Sequence, residues 1–429
     1  MKKRKIRISQ CMIVKNEEAK ITRALSWGEG VIWERIVVDT GSTDRTAEIA
    51  ESLGASVWHF PWNDDFSAAK NFALEKAKGD WIFFLDADEY PRPEDEKKIL
   101  TEIQIAEDLG YDGISTGLAN LDDEGNIGAV GAQVRLFRNS SNLRYYRRVH
   151  EQLKRTDGGF PGLTDATGEI LILHDGYQTE VYEGKKKSER NRRLLERELT
   201  DHPNDYEIMG YLGDVYQTDG NRAEAKRWFS QAVSLMPDTL PEYDRRSEAT
   251  LASLIEILVQ EREEKELLAV YRRATALFSE AADFDYLLGC YMGAAERWAE
   301  SAKYLASGIE KLNRYGTGGY AMLLGAHLVD AYGDLALAYL KAGQEKEAVE
   351  TSVAFLRVKP YDGKVLRILL ECFRGAEEAS NPIYCQDVLA FLEKLYSFAD
   401  SRNRFFVRQV ILRAGWPVLA QTLTAKWGE

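Results

Sequence analysis

Trp81-Ile82-Phe83-Phe84-Leu85-Asp86-Ala87-Asp88 is the stretch on which the fold turns. Five apolar residues in a row, ended by two carboxylates, read as a strand buried on both faces that runs out into an acidic turn. Working back from it, Ile6–Val14, Arg35–Asp39 and Ser56–Phe60 are further strands. The segments between them, Asn16–Trp27, Thr43–Leu53 and Phe66–Lys78, carry helical spacing. Strand–helix alternation of this kind predicts a parallel sheet covered on both faces. Beyond Tyr90 the pattern loosens, and extended runs at Gly113–Gly117, Ala132–Phe137 and Glu169–His174 suggest a more antiparallel half.

From Lys185 onward the strands stop. Lys185–Leu199 reads as a charged helix. Residues 205–237 fit one tetratricopeptide repeat, with Leu212-Gly213, Tyr216, Gly220, Ala225, Phe229, Ala232 and Pro237. Leu335-Ala336, Tyr339, Gly343, Ala348 and Pro360 repeat that spacing, Leu288-Gly289 opens a weaker copy, and Ser247–Glu280 reads as a helical pair. Small residues let paired helices approach, and at least three such units are needed to bury a continuous core. A generic helical bundle is the alternative. Either way this half is a scaffold or docking surface.

The 429 residues suit two to three domains, and 56 basic against 69 acidic residues leave a charge of −13. A basic face for nucleic acid is therefore not expected, although a local phosphate pocket remains open. Four scattered cysteines (Cys11, Cys290, Cys372, Cys385) make neither a disulfide scaffold nor a zinc site. The basic start lacks the apolar run and cleavage site of a signal peptide, and no membrane-length apolar stretch exists. A cytoplasmic protein is expected.

Asp86 and Asp88 are the main chemical signal. In an open α/β sheet, ligands bind at strand carboxyl ends. Carboxylates at i and i+2 there can serve a hydroxylated ligand and a hard cation. A lone D-x-D also occurs as a solvated turn, so its context decides. Asp39-Thr40-Gly41-Ser42-Thr43-Asp44 likewise follows a strand and opens a helix. Capping explains Thr43 and Asp44, whereas Asp39 is expected at the same sheet edge as Asp86, in a ligand role.

Four motifs follow in order: Cys11-Met12-Ile13-Val14-Lys15-Asn16-Glu17-Glu18, Val38–Asp44, Asp65-Phe66-Ser67-Ala68-Ala69-Lys70-Asn71, and Phe84–Glu89. Together, over about residues 7–178, they resemble a family 2 glycosyltransferase. The fold this implies is an α/β GT-A (Rossmann-like) nucleotide-sugar-binding domain followed by an all-α tetratricopeptide-repeat domain. The whole chain is similar to bacterial fusions of these two parts, a group that includes S-glycosyltransferases of sublancin-type bacteriocin peptides. The resemblance implies that Asp39 reads the uracil edge of a UDP-sugar and that Val14, Asn16, Glu17 and Ser42 line base and ribose. It implies Lys70 and Asn71 beside the nucleotide, although relatives often have arginine where Lys70 stands. Asp86, with Ala87, would meet the ribose or sugar. Asp88 would hold the metal, Mn²⁺ or Mg²⁺, with His174 as a late second ligand.

Val149-His150-Glu151 falls where these enzymes place the catalytic carboxylate. Glu151 is the candidate base, with His150 as runner-up or partner. Inverting transfer needs a base on the face opposite the leaving UDP. Arg135, Arg138, Arg144, Arg147 and Arg148 form a locally basic stretch. One or two of them are expected on the diphosphate, and Arg138 is assigned to the donor site; a solvated strand face is the alternative. Trp62, Tyr145, Tyr146 and Tyr177 are candidates for stacking, each also readable as core or rim. His59, His202 and His327 read as structural.

The expected domains are residues 1–184, a linker at 185–204 and repeats over 205–429. The expected function is inverting, metal-dependent transfer of a hexose, UDP-glucose favoured as donor, to a peptide or protein acceptor docked by the repeats. The alternatives are a cell-envelope glycan or small-carbohydrate acceptor, or a transferase-like scaffold without turnover. No nucleic acid and no membrane span are expected. A homodimer through the helical half is compatible with the sequence.

Overall fold

The computed structural model describes residues 5–122, 124–175, 181–241, 244, 246–316, 321–374 and 380–428. Contacts divide the chain into two compact units, Met1–Ala225 and Lys226–Glu429.

In the first unit, β1 (Ile8–Val14), α1 (Ile21–Leu25), β2 (Ile32–Asp39), α2 (Thr46–Ser52), β3 (Ser56–His59), α3 (Phe66–Lys76) and β4 (Trp81–Phe84) alternate as the sequence pattern requires. Then come β5 (Glu89–Pro91), α4 (Glu96–Leu109), β6 (Gly113–Leu121), β7 (Ile127–Arg138), β8 (Leu143–Tyr146), β9 (Gln152–Arg155) and β10 (Leu163–His174). Eight strands form one sheet in the order β3-β2-β1-β4-β7-β6-β10-β5, and β8 pairs with β9 as a separate hairpin. The β1, β2, β3 and β4 strands are mutually parallel. β7 runs against β4 and β6, and β10 is parallel to β6. Thus β6 and β10 point the same way as β4, and only β7 and β5 oppose them. The second half of the sheet is mixed, less antiparallel than expected. Every residue of β4 is buried, consistent with cover on both faces.

α4 was not anticipated from the loosened pattern after Tyr90. Its apolar positions Ile99, Ile103 and Ala106 nevertheless have helical spacing and are buried, and Gly110 in the left-handed region ends it. α1 is only five residues long because the chain before it turns back to support the second motif.

α5 (Val181–Asp201) and α6 (Tyr206–Thr218) also lie within the first unit, and α7 (Arg222–Leu235) begins there. In the second unit, α8 (Ser247–Glu261) packs on α9 (Glu264–Leu277), and α10 (Ala282–Ala294) on α11 (Trp298–Tyr315). After the short α12 (Met322–Ala326), α13 (Leu328–Lys341) packs on α14 (Glu345–Val358). α15 (Gly363–Cys372), α16 (Pro382–Leu392), α17 (Ser401–Arg413) and α18 (Pro417–Trp427) complete the helical array. A Cβ built on Gly289 would lie 2.8–2.9 Å from Leu305 of α11. A glycine there lets the two helices of this repeat touch. Cys11 and Cys385 are buried, and none of the four cysteines is in a disulfide. No helix among the described residues is long and apolar enough to cross a membrane.

Candidate functional site

Because β1 to β4, β6 and β10 are parallel, their carboxyl ends share one edge of the sheet. Asn16 and Glu17 follow β1, Asp39 ends β2, His59 ends β3, and Asp86 and Asp88 follow β4. Asn120 and His174 are paired across β6 and β10, and His174 also faces Glu89 of β5. Register alone therefore gathers residues separated by more than a hundred positions.

The first two motifs are stitched together by polar contacts. The Asn16 amide donates to Ser42 Oγ at 2.9 Å, and Asn16 Oδ1 accepts from the Thr43 amide at 2.8 Å. Asn16 has φ 57°, in the left-handed region that asparagine tolerates better than most residues. The Glu17 amide donates to Thr46 Oγ1 at 2.7 Å. Asp39 is buried, accepts from the Ser42 amide at 3.0 Å and meets His59 Nδ1 at 3.3 Å. Gly41, at φ 107°, makes the turn that brings Ser42 back onto Asp39.

Three expectations change here. Val14 is buried among Met12, Val37 and Ala87, and its carbonyl accepts from both Thr40 N and Thr40 Oγ1, so it offers nothing to a base. Thr43 is not a cap; the Asp44 carboxylate takes that part, accepting from Thr46 N and Oγ1. His59 is not packed away beside Phe60 but largely exposed and turned to Asp39.

A chain of charges runs beneath the acidic turn. Lys70 of α3 is buried, 2.7 Å from Glu151 and 3.8 Å from Asp86, with its ammonium over the rings of Phe84 and Tyr145. Arg135 of β7 bonds Asp86 at 3.1 Å and also Glu89. Burial opposes ionisation of Asp86, but Lys70 and Arg135 outweigh it and hold its carboxyl down at about 2. Burial keeps Glu89 above its ordinary range in spite of Arg135. Burial and then the nearby Asp88 charge push Glu17 up to about 7.

Asp88 Oδ2 lies 3.4 Å from His174 Nε2 and 3.6 Å from Lys20 Nζ. The hydrogen bond to Asp88 raises the His174 pKa, and His174 in turn holds Asp88 below its usual range against the cost of burial. His174 Nδ1 sits 2.8 Å from Asn120 Oδ1. That contact holds one ring nitrogen, and Nε2 is the nitrogen directed at Asp88. Metal-binding histidines are oriented in this way by a partner on the second ring nitrogen. One carboxylate and one such imidazole are donors that would suit a divalent cation, with Asp88 and His174 as the residues that would hold it. Among the described residues no group of three histidine, cysteine or acidic side chains forms a closed metal cage.

Other candidates lie elsewhere. Asn71 spends its amide on the Tyr145 backbone, donating to its carbonyl and accepting from its N–H at 2.8 Å, and so ties α3 to β8. Arg138 pairs with Trp81, at the amino end of β4, and bonds Glu107 and the Tyr111 carbonyl. Because β7 runs against β4, Arg135 lies by Asp86 while Arg138, three positions on, lies at the opposite end of β4. Arg144 bonds nearby carbonyls, while Arg147 and Arg148 bond carboxylates of α5, α6 and the link between them. His150 stacks on Tyr211, ring centroids 3.9 Å apart and 3° from parallel, and the carboxylate joined to Lys70 is that of Glu151. Tyr145 is core, edge-on to Phe84 and Phe137, and Trp62 donates to Asp64. Tyr146 bonds Gln152 beneath the Lys154 ammonium. Tyr177 lies outside the described residues. Sequence reading missed Asn120, which no motif marks, and Glu89, whose only signal is its place after the acidic pair.

The family model for glycosyl transferase family 2 matches residues 9–117, and a tetratricopeptide-repeat model matches residues 206–239. A TPR repeat-containing protein of Synechococcus elongatus is 32% identical over 296 residues, which cover 66% of this chain and 69% of that protein. The prophage-derived glycosyltransferase SunS of Bacillus subtilis is 27% identical over 204 residues, and this chain spans about half its length, 47%. Among solved structures, S. aureus TarS 1–349 in complex with UDP-GlcNAc aligns with a TM-score of 0.37 at 14% identity, covering 63% of this chain and 91% of that one. A GT-A-type sheet carrying the four motifs, followed by a helical repeat region, agrees with both family models. The chain belongs to the family of proteins that join a glycosyl transferase family 2 domain to tetratricopeptide repeats.

Proposed function

We propose that this chain is an inverting, metal-dependent cytoplasmic glycosyltransferase that moves a hexose from a UDP-sugar to a peptide or protein acceptor. The observation that carries the reading is the gathering of Asp39, Asp86, Asp88 and His174 at one sheet edge, with Lys70 joining Glu151 of the β8–β9 loop to Asp86. The repeats that follow the sheet in the chain, and the resemblance of the sequence to glycosyltransferases of bacteriocin peptides, favour a peptide acceptor. Repeat arrays offer extended surfaces for such segments.

In this reading Asp39, steadied by the Ser42 amide and His59, accepts from the uracil edge, while Asn16, Glu17 and Ser42 frame the ribose. Asp86 faces the ribose or the sugar. Asp88 and His174 hold Mn²⁺ or Mg²⁺, which when bound supplies positive charge to the leaving diphosphate. Glu151 takes the proton of the attacking hydroxyl or thiol as the acceptor enters opposite the leaving group. A thiol, with a free pKa of about 8.5, needs this help less than a hydroxyl does.

The test is a donor screen with the full chain. Nucleoside diphosphate release, UDP or GDP, is followed from UDP-glucose, UDP-galactose, UDP-N-acetylglucosamine and GDP-mannose, with and without Mn²⁺. Ion-dependent release from a UDP-sugar is expected. Release from the GDP-sugar alone, or no dependence on a divalent ion, removes the proposal.

A further inference from the structure

Glu151 stands at the end of the short loop that joins β8 to β9. Within that loop Arg147 (φ 74°) and His150 (φ 53°) are in the left-handed region, although neither is glycine or asparagine. Such residues persist only where their surroundings over-determine the backbone. From one side α3 supplies that hold: the Phe66 amide donates to the Arg148 carbonyl at 2.9 Å, and Ser67 Oγ donates to the Arg147 carbonyl at 2.6 Å. From the other side the hold comes from the helices after the sheet. Arg147, buried, bonds Glu207 at 2.7 Å and Asp205 at 2.9 Å. Both the backbone amide and the guanidinium of Arg148 bond Glu198, at 3.1 and 3.0 Å. His150 lies flat on Tyr211. Arg147 and Arg148, part of the basic run read as a diphosphate patch, are therefore the loop's anchor.

We propose that α5 and α6 position the Glu151 carboxylate, with Glu198 and Glu207 as positioning residues for the transfer step. The first repeat helix thus belongs to the transferase machinery, and only later helices are left for acceptor docking. This rests on Glu151 being the base. A general base works only within hydrogen-bond reach of the proton it removes. A displacement of about 1 Å costs on the order of 100-fold in rate. Glu207 is the residue to test, because the α6 cap is supplied by Asp205, which accepts from the Glu207 and Ile208 amides. Its replacement leaves that cap in place.

The experiment is a double-mutant cycle in the full chain, Glu207→Gln with Glu151→Gln. The readout is UDP release in Mn²⁺ from whichever of UDP-glucose, UDP-galactose and UDP-N-acetylglucosamine the unaltered chain turns over fastest. Glu207→Gln is expected to lower kcat roughly 10- to 100-fold while UDP affinity stays within about twofold. In the Glu151→Gln background the same change is expected to cost less than about threefold, because the group it positions is already gone. Glu198→Gln repeats the cycle through Arg148, so that the result does not hang on the folding of one variant. Equal losses in both backgrounds, or an unchanged kcat in Glu207→Gln, overturn the positioning role and leave the base assignment standing. Full turnover in Glu151→Gln overturns both.

Discussion

Arg135 shows how much one side chain holds in this site. Its guanidinium is buried between Asp86 and Glu89, and with Lys70 it balances three carboxylates, Asp86, Glu89 and Glu151. Removing one partner of a buried charge network is costly because the others are left uncompensated. Arg135→Met is expected to destabilise the chain by about 3 kcal/mol, seen as a lower urea midpoint. Arg138→Met, at the opposite sheet end with its partly exposed ion pair, is expected to cost less than about 1 kcal/mol. Asp88→Asn belongs to the same scale and has the opposite profile. Asp88 is partly exposed and its contacts with His174 and Lys20 are long, 3.4 and 3.6 Å, so melting is expected to change little while Mn²⁺-dependent UDP release is lost. Calorimetric titration of Mn²⁺ in the presence of UDP checks it, and undiminished binding would remove the metal role. Sequence reading placed Asp39, Asp86 and Asp88 at strand carboxyl ends, where the structure has them, because their motifs are local. It mistook Arg138, Asn71 and Val14, since whether a residue faces the site depends on strand direction and on hydrogen bonds to distant backbone. Local pattern carries neither.

At the scale of elements, the strands that alternate with helices were legible because their burial follows a simple period. α4 and the β8–β9 hairpin were not, since the first hides in a charged run and the second has only four residues per strand. The helical array was legible through its small residues. Gly289 is the clearest case: a larger side chain must push Leu305 and its backbone aside. Gly289→Val is expected to cost about 1–3 kcal/mol by overpacking, in spite of the conformational freedom that glycine gives up, and a thermal melt of the full chain measures it. α8 carries a second test. Burial, and then the charge of Asp283, push Glu248 up to about 7. A carboxyl raised in the folded state binds more protons there than in the unfolded chain, so stability falls as pH rises from about 4.5 to 7. Glu248→Gln is expected to raise the melting temperature at pH 8, where the native carboxylate is charged, and to leave it nearly unchanged at pH 5. After allowance for solvent screening the gain corresponds to about 1–2 kcal/mol. An equal gain at both pH values would mean that the charge of Glu248 is not the cause.

At the scale of the molecule, the change of periodicity near Lys185 and the division of contacts after Ala225 are different boundaries. The first marks where strands end. The second marks where the compact unit that holds the sheet ends, and between the two lie Glu198, Asp205, Glu207 and Tyr211, which touch the loop that carries Glu151. No repeat signature separates a helix that docks a partner from one that braces an active site, because both need the same small residues on their packing faces. Truncation distinguishes them. A chain ending after Met236 keeps α5, α6 and α7 whole, whereas one ending after Asn204 loses Asp205, Glu207 and Tyr211. The longer form is expected to retain UDP release from donor and water within about threefold of the full chain, while losing most of its activity toward a peptide acceptor. The shorter form is expected to fall by about 100-fold even with water as acceptor, since its base is no longer held. Circular dichroism of both forms establishes that the sheet domain has folded, and the ratio of their hydrolysis rates then gives the outcome. Equal rates would place the boundary of the transferase at the end of the sheet, and a longer form still fully active on peptide would remove the later helices from acceptor docking.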